Sequence, residues 1–92
     1  MKAEMHNHSA WIDETDPKVL HKYFSKMLKI AGFDVLSMTE NHFKPQGYTS
    51  LYLLSESHFA IHTFPEHNRT YIELSSCVKQ PFDKFLRLVL SD

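Results

Sequence analysis

The stretch TSLYLLSESHFAIHTF, residues 49 to 64, decides how the rest of the chain can fold. Apolar and polar positions alternate along it, the period-2 signature of strands that bury one face. It reads as two β runs, 49–57 and 58–64, with no glycine or proline to separate them. The polar members are a carboxylate (Glu56), a hydroxyl (Ser57) and two imidazoles (His58 and His62). Those side chains do proton chemistry, which a sheet surface does not require.

The segments on either side fit around this pair of strands. Upstream, MHNHSAWI (5–12) alternates His6, His8, Ala10 and Ile12 against Met5, Asn7, Ser9 and Trp11, as a strand does. DETDPKVLHKYFSKMLKIAG (13–32) predicts a helix. Asp16 can accept from the free N–H groups of the first turn, and Pro17 fits a position where no donor is needed. Leu20, Phe24, Met27, Leu28 and Ala31 form its apolar stripe, lysines 18, 22, 26 and 29 face solvent, and Gly32 supplies a left-handed stop. FDVLSMTE (33–40) alternates again, and NHFKPQGY (41–48) is a turn punctuated by proline and glycine. Downstream, RTYIELSSC (69–77) is another strand. QPFDKFLRLVL (80–90) is a closing helix with Pro81 at its start and Phe82, Phe85, Leu86 and Val89 on one face. The order β-α-β-β-β-β-α, with no repeat or linker, predicts a single α+β domain over residues 1–92. Its antiparallel sheet carries the helices on one face, as a two-layer sandwich. The other face needs a cover, and the sheet of a second copy is the economical one.

Composition narrows the function classes. With 92 residues, 42% hydrophobic content and seven Phe, four Tyr and one Trp, the chain can build a core, and disorder is excluded. A domain this small hides only roughly 60–65% of its unfolded surface, which favours pairing into a dimer. The net charge is −1 and evenly spread, so no basic face exists for nucleic acid and no polybasic tract for a membrane. No apolar run reaches the roughly 20 residues that span a bilayer, and no signal peptide opens the chain, so a cytoplasmic protein is expected. Cys77, the single cysteine, excludes an internal disulfide and a cysteine-rich zinc site. A lone cysteine is ordinarily a small buried hydrophobe.

Among seven histidines, His6 and His8 share a strand face and would need His58, His62 or His67 to complete a metal site. No HExxH-type spacing supports that, and no metal is expected. A Ser57–His62–acid triad lacks the GxSxG elbow that usually presents such a serine.

The ordered series says more than its members. PQGYTS, an apolar run, SESH, IHTFPEH, an alternating strand and then Cys77 resemble the S-adenosylmethionine decarboxylase family, in its short prokaryotic, pyruvoyl-dependent type. The resemblance is strong from Phe43 to Cys77 and holds as an order of elements from Trp11 to Gly32. It departs at Asn68 and Val78, where relatives carry glycine, and at Ser9, Ala10 and Trp11, where they carry an acidic-aromatic pattern. Asn tolerates a left-handed φ, so Asn68 can keep the turn.

The resemblance implies a chemistry with a physical logic. Decarboxylating an α-amino acid leaves a carbanion, which an imine to an electron-poor carbonyl delocalises. The family makes that carbonyl from its own backbone. Ser57 attacks the carbonyl of Glu56, His62 promotes elimination, and Thr49 supplies a second hydroxyl that assists the acyl shift. The products are a β chain, 1–56, and an α chain, 57–92, capped by a pyruvoyl cofactor derived from Ser57. Cys77 is implied as the general acid, since a thiol keeps a proton to donate at neutral pH. Phe43 and Glu66 match positions that stack on adenine and hold ribose hydroxyls. The implied partners are a small-molecule substrate and a second copy of the chain. S-adenosylmethionine, for polyamine synthesis, is the expected substrate. Arginine or ornithine decarboxylation, or an uncleaved relative that binds an active paralogue, are the alternatives.

Overall fold

In the computed structural model, which describes residues 4–90, the chain runs β1 (His6–Ile12), α1 (Pro17–Ala31), β2 (Val35–His42), β3 (Tyr48–Leu54), β4 (Ser57–Phe64), β5 (Arg69–Ser76) and α2 (Lys79–Leu90). A 3-10 turn, Pro65–His67, links β4 to β5. The strands form one sheet in the order β1-β5-β4-β3-β2, and every neighbouring pair is antiparallel. The α+β, one-sided architecture read from the sequence is the one observed.

Local chemistry explains the first helix. Asp16 Oδ1 accepts from the Lys18 N–H at 2.9 Å, Pro17 takes the first helical position, and Gly32 closes the helix at φ 105°. Its stripe enters the core, with Leu20, Phe24, Leu28 and Ala31 buried and Met27 packed against them. From α2, Phe82 and Phe85 reach the same core. The rings of Phe24 and Phe59 lie 5.0 Å apart, and those of Phe59 and Phe85 5.6 Å. One ring each from α1, β4 and α2 thus locks both helices onto the middle of the sheet.

Strand parity sorts the two faces. Tyr52, Leu54, Phe59, Ile61, Ile72 and Leu74 point into the helix layer. Thr49, Leu51 and Leu53 of β3, His58 and His62 of β4, Tyr71 of β5 and Trp11 of β1 lie on the open face. That face exposes Trp11, Leu51, Leu53 and Phe64 to about half their areas.

Two boundaries differ most from the sequence reading. The break between the two central strands is a two-residue turn at Ser55–Glu56, so β3 ends at Leu54 and β4 begins at Ser57. Glu56 adopts φ 59° with no glycine, asparagine or aspartate to announce it. Strand β2 also runs on to His42, so the turn before β3 shrinks to residues 43–47.

Candidate active site

The hairpin turn and the end of β5 meet at one end of the sheet. Ser57 pairs in register with Ser76, so two hydroxyls face each other on the buried side. Ser57 Oγ donates to Ser76 Oγ at 2.7 Å. Ser76 Oγ in turn accepts from the Val78 N–H at 2.9 Å and donates to the Val78 carbonyl at 3.1 Å. The carbonyl of Glu56, which precedes Ser57, accepts from the Cys77 N–H at 3.2 Å. A hydroxyl, the carbonyl of the residue before it, and a donor to that carbonyl therefore belong to one corner of the sheet. Cys77 is exposed, which corrects the ordinary expectation of a buried cysteine: the chain turns outward there between β5 and α2. Val78 does not adopt the left-handed backbone that a glycine would permit, and its N–H and carbonyl both bond Ser76 Oγ.

A second group lies at the opposite end. Thr49 and His62 are cross-strand partners on the open face, with Thr49 Oγ1 3.0 Å from His62 Nδ1. Beside them, Phe43 sits half-exposed on the β2–β3 turn, its N–H bonded to the Gly47 carbonyl at 2.8 Å. Gln46 Nε2 from the same turn approaches Glu66 Oε2 at 3.4 Å, joining it to the 3-10 turn after β4. Asn68 ends that turn at φ 53°, the left-handed conformation expected of it. Beneath the loop, Tyr48 Oη donates to Glu40 Oε1 at 2.7 Å. Burial, and then the hydrogen bond to Glu40, push the Tyr48 phenol up to about 12.

The sequence-derived residues thus fall into two half-sites. Glu56, Ser57 and Cys77 are together at one end; Thr49, His62, Phe43 and Glu66 gather at the other. Five residues of extended strand, roughly 16 Å at about 3.3 Å each, separate Ser57 from His62. Their side chains also leave opposite faces of the sheet. The histidines considered for a metal are divided in the same way. His6 packs its ring on Phe82 in the helix layer, whereas His58 and His62 are on the open face. Among the described residues, no three His, Cys, Asp or Glu side chains converge. The sequence does not mark Ser76 or Gln46, because both gain their partners only through strand register and loop placement.

The fold and the site define a class: small α+β proteins with one five-stranded antiparallel sheet, two helices on one face and a hydroxyl directly after a left-handed hairpin residue. Comparison with known proteins makes the assignment specific. The sequence profile described as S-adenosylmethionine decarboxylase matches residues 5–91, and the chain belongs to that family. An S-adenosylmethionine decarboxylase proenzyme of Prochlorococcus marinus (strain MIT 9211) is 38% identical over 65 residues, 70% of this chain and 53% of its own length. A proenzyme of the same description from Brevibacillus brevis is 40% identical over 62 residues, 67% of this chain and 47% of its own. The chain therefore spans about half the length of these curated relatives. The crystal structure of the adenosylmethionine decarboxylase from Aquifex aeolicus VF5 superposes with a TM-score of 0.69. It covers 90% of this chain and 77% of its own at 22% identity, a likeness of fold. No helix among the described residues is long and apolar enough to cross a membrane.

Proposed function

We propose that this chain is a cytoplasmic, self-processing pyruvoyl-dependent decarboxylase whose substrate is S-adenosylmethionine, made as a proenzyme that cuts itself between Glu56 and Ser57. The observation that carries the reading is that, with Ser57 fixed by a hydrogen bond to Ser76, the carbonyl of the residue before it, Glu56, is held by the Cys77 N–H. Such a donor stabilises the oxyanion that forms when a hydroxyl adds to a carbonyl. The Glu56 acyl group moves from the Ser57 nitrogen to Oγ. Loss of the Ser57 α-proton then expels Glu56 as a carboxylate, and water hydrolyses the resulting dehydroalanine, as its imine tautomer, releasing ammonia and leaving the pyruvoyl-capped α chain. The residues around Ser57 fit this origin for the pyruvoyl group, which when present acts as the electron sink for decarboxylation.

His62 is the base for the α-proton, with Thr49 fixing its ring through Nδ1. The two half-sites of one chain are too far apart for this, so a second copy supplies the other half. The open face carries Trp11, Phe64, Tyr71, Leu51 and Leu53, an apolar surface fit for sheet-to-sheet pairing. A two-fold axis lying in the interface and running across the strands sets the other copy's His62 across from the backbone and α-carbon of each Ser57, whose hydroxyl stays on the helix side. The same operation brings Phe43 and Glu66 of one copy towards Ser57 of the other. There the Phe43 ring can stack on adenine, and the Glu66 carboxylate can accept from ribose hydroxyls. Cys77, exposed next to Ser57, is placed to return a proton to the substrate carbon after carbon dioxide leaves. The relatives are named for S-adenosylmethionine, which favours that substrate over arginine or ornithine.

Intact-mass analysis of purified protein tests the reading. Fragments 1–56 and 57–92 are expected, the second blocked to Edman degradation, with Ser57→Ala remaining whole. Wild-type protein that stays full length after prolonged incubation would remove it.

A further inference from the structure

We propose that Ser76 is the positioning residue for the Ser57 nucleophile, a role that rests on the self-cleavage reading and assigns part of that chemistry to a side chain outside the Thr49–His62 pair. Ser76 is fully buried, and its Oγ has a complete set of partners. It accepts from Ser57 Oγ and from the Val78 N–H, and it donates to the Val78 carbonyl. A free serine hydroxyl samples three staggered rotamers and any orientation of its hydrogen. Here both are fixed, because the acceptor itself is held by two backbone bonds of the turn that follows β5. With its hydrogen committed to Ser76, Ser57 Oγ keeps its lone pairs free for bonding. The rigid turn that holds Ser76 also contributes the Cys77 N–H to the Glu56 carbonyl. Residues 76–78 therefore grip both reacting partners, the oxygen through a side chain and the carbonyl through the backbone.

The step balances without an outside reagent. The Ser57 Oγ–Glu56 carbon bond forms, the Glu56 carbon–Ser57 nitrogen bond breaks, and the Oγ proton ends on the Ser57 nitrogen. Ser76 Oγ is the hydrogen-bonded neighbour of that proton at the start, so its loss affects the acyl shift. It leaves the later elimination, which takes the proton from Ser57 Cα, to other groups.

Threonine and valine at position 76 are nearly isosteric and differ in the hydroxyl, so they separate shape from hydrogen bonding. Ser76→Thr should cleave at close to the wild-type rate. Ser76→Val should cleave about ten-fold or more slowly, as expected when a buried hydroxyl loses its acceptor. Melting temperatures, measured in a Ser57→Ala background, show whether both variants fold. Hydroxylamine, which splits esters, reports the step affected. His62→Ala, stalled after the shift, should be cut by hydroxylamine at residue 56, whereas Ser76→Val, stalled before it, should resist. Equal cleavage by Ser76→Val and wild type would overturn the role of Ser76 alone. So would ready splitting of Ser76→Val by hydroxylamine, since the shift would then have occurred without the Ser76 hydroxyl. Absence of cleavage in the wild type, with no hydroxylamine-sensitive bond, would instead remove the self-processing reading.

Discussion

Glu56 holds a left-handed backbone at φ 59°, a conformation that costs a residue with a Cβ roughly 1–2 kcal/mol, and its carbonyl is the one bonded by the Cys77 N–H. The turn that closes the hairpin β3–β4 thus stores strain next to the bond proposed to break. In an uncleavable Ser57→Ala background, Glu56→Gly should stabilise the fold by about 1 kcal/mol in urea unfolding. A destabilised variant would mean that the Glu56 side chain contributes more than its backbone costs. Cys77 divides differently. Its bond to the Glu56 carbonyl is made by a backbone N–H, which alanine retains. Cys77→Ala should therefore still cleave and yet turn over substrate poorly, or protonate at the wrong atom and inactivate. Full and durable carbon dioxide release by that variant would return Cys77 to a structural role.

At the scale of elements, the three rings from α1, β4 and α2 hold the two layers together. Phe85→Ala leaves a cavity between the helices and the sheet and should cost about 3–5 kcal/mol, read by chemical denaturation. A near-neutral result would show that α2 is not held by this contact. The β2–β3 pair carries a pH signature. Tyr48 is raised to about 12, so the folded state retains its phenolic proton where the unfolded chain has lost it. Stability from this group is complete below the unfolded value, near 10, and declines as pH rises through about 12. Tyr52 shifts in the same direction through burial and adds to the decline. Tyr48→Phe, assayed with Ser57→Ala protein, should flatten part of the loss between pH 10 and 12. An unchanged slope would assign the loss to other groups.

For the whole molecule, the proposed reading makes assembly a condition of processing, because its residues lie at two ends of one sheet. Chains bearing Ser57→Ala and His62→Ala should each stay intact alone. Mixed in one dimer, they rebuild one complete site, and the His62→Ala chain should then cleave. Failure of the mixture, with mixed dimers verified by mass, would place the base within the same chain as its Ser57. Trp11→Glu together with Leu51→Glu puts carboxylates into the open apolar face, and sedimentation should then show monomers that do not process. The open face also holds Arg69 over the Trp11 ring at 4.7 Å, so its aromatic cluster is set before any partner arrives.

Taken alone, the sequence determined the sheet, the helices and the family. Period-2 alternation, the Asp16–Pro17 start, the Gly32 stop and the Phe43–Cys77 series are local signals, carried by neighbouring residues and legible without coordinates. Asn68 at a left-handed turn was legible for the same reason. Only the tertiary structure decided where the β3–β4 hairpin breaks, because Glu56 lacks the chemistry that favours φ 59° and is held there by the strands on either side. It also decided that Ser76 meets Ser57, since register between β4 and β5 is set by packing across the whole sheet. The same geometry put Ser57 and His62 at opposite ends and on opposite faces: strand parity and a rise of about 3.3 Å per residue separate what a sequence spacing of five suggests is close.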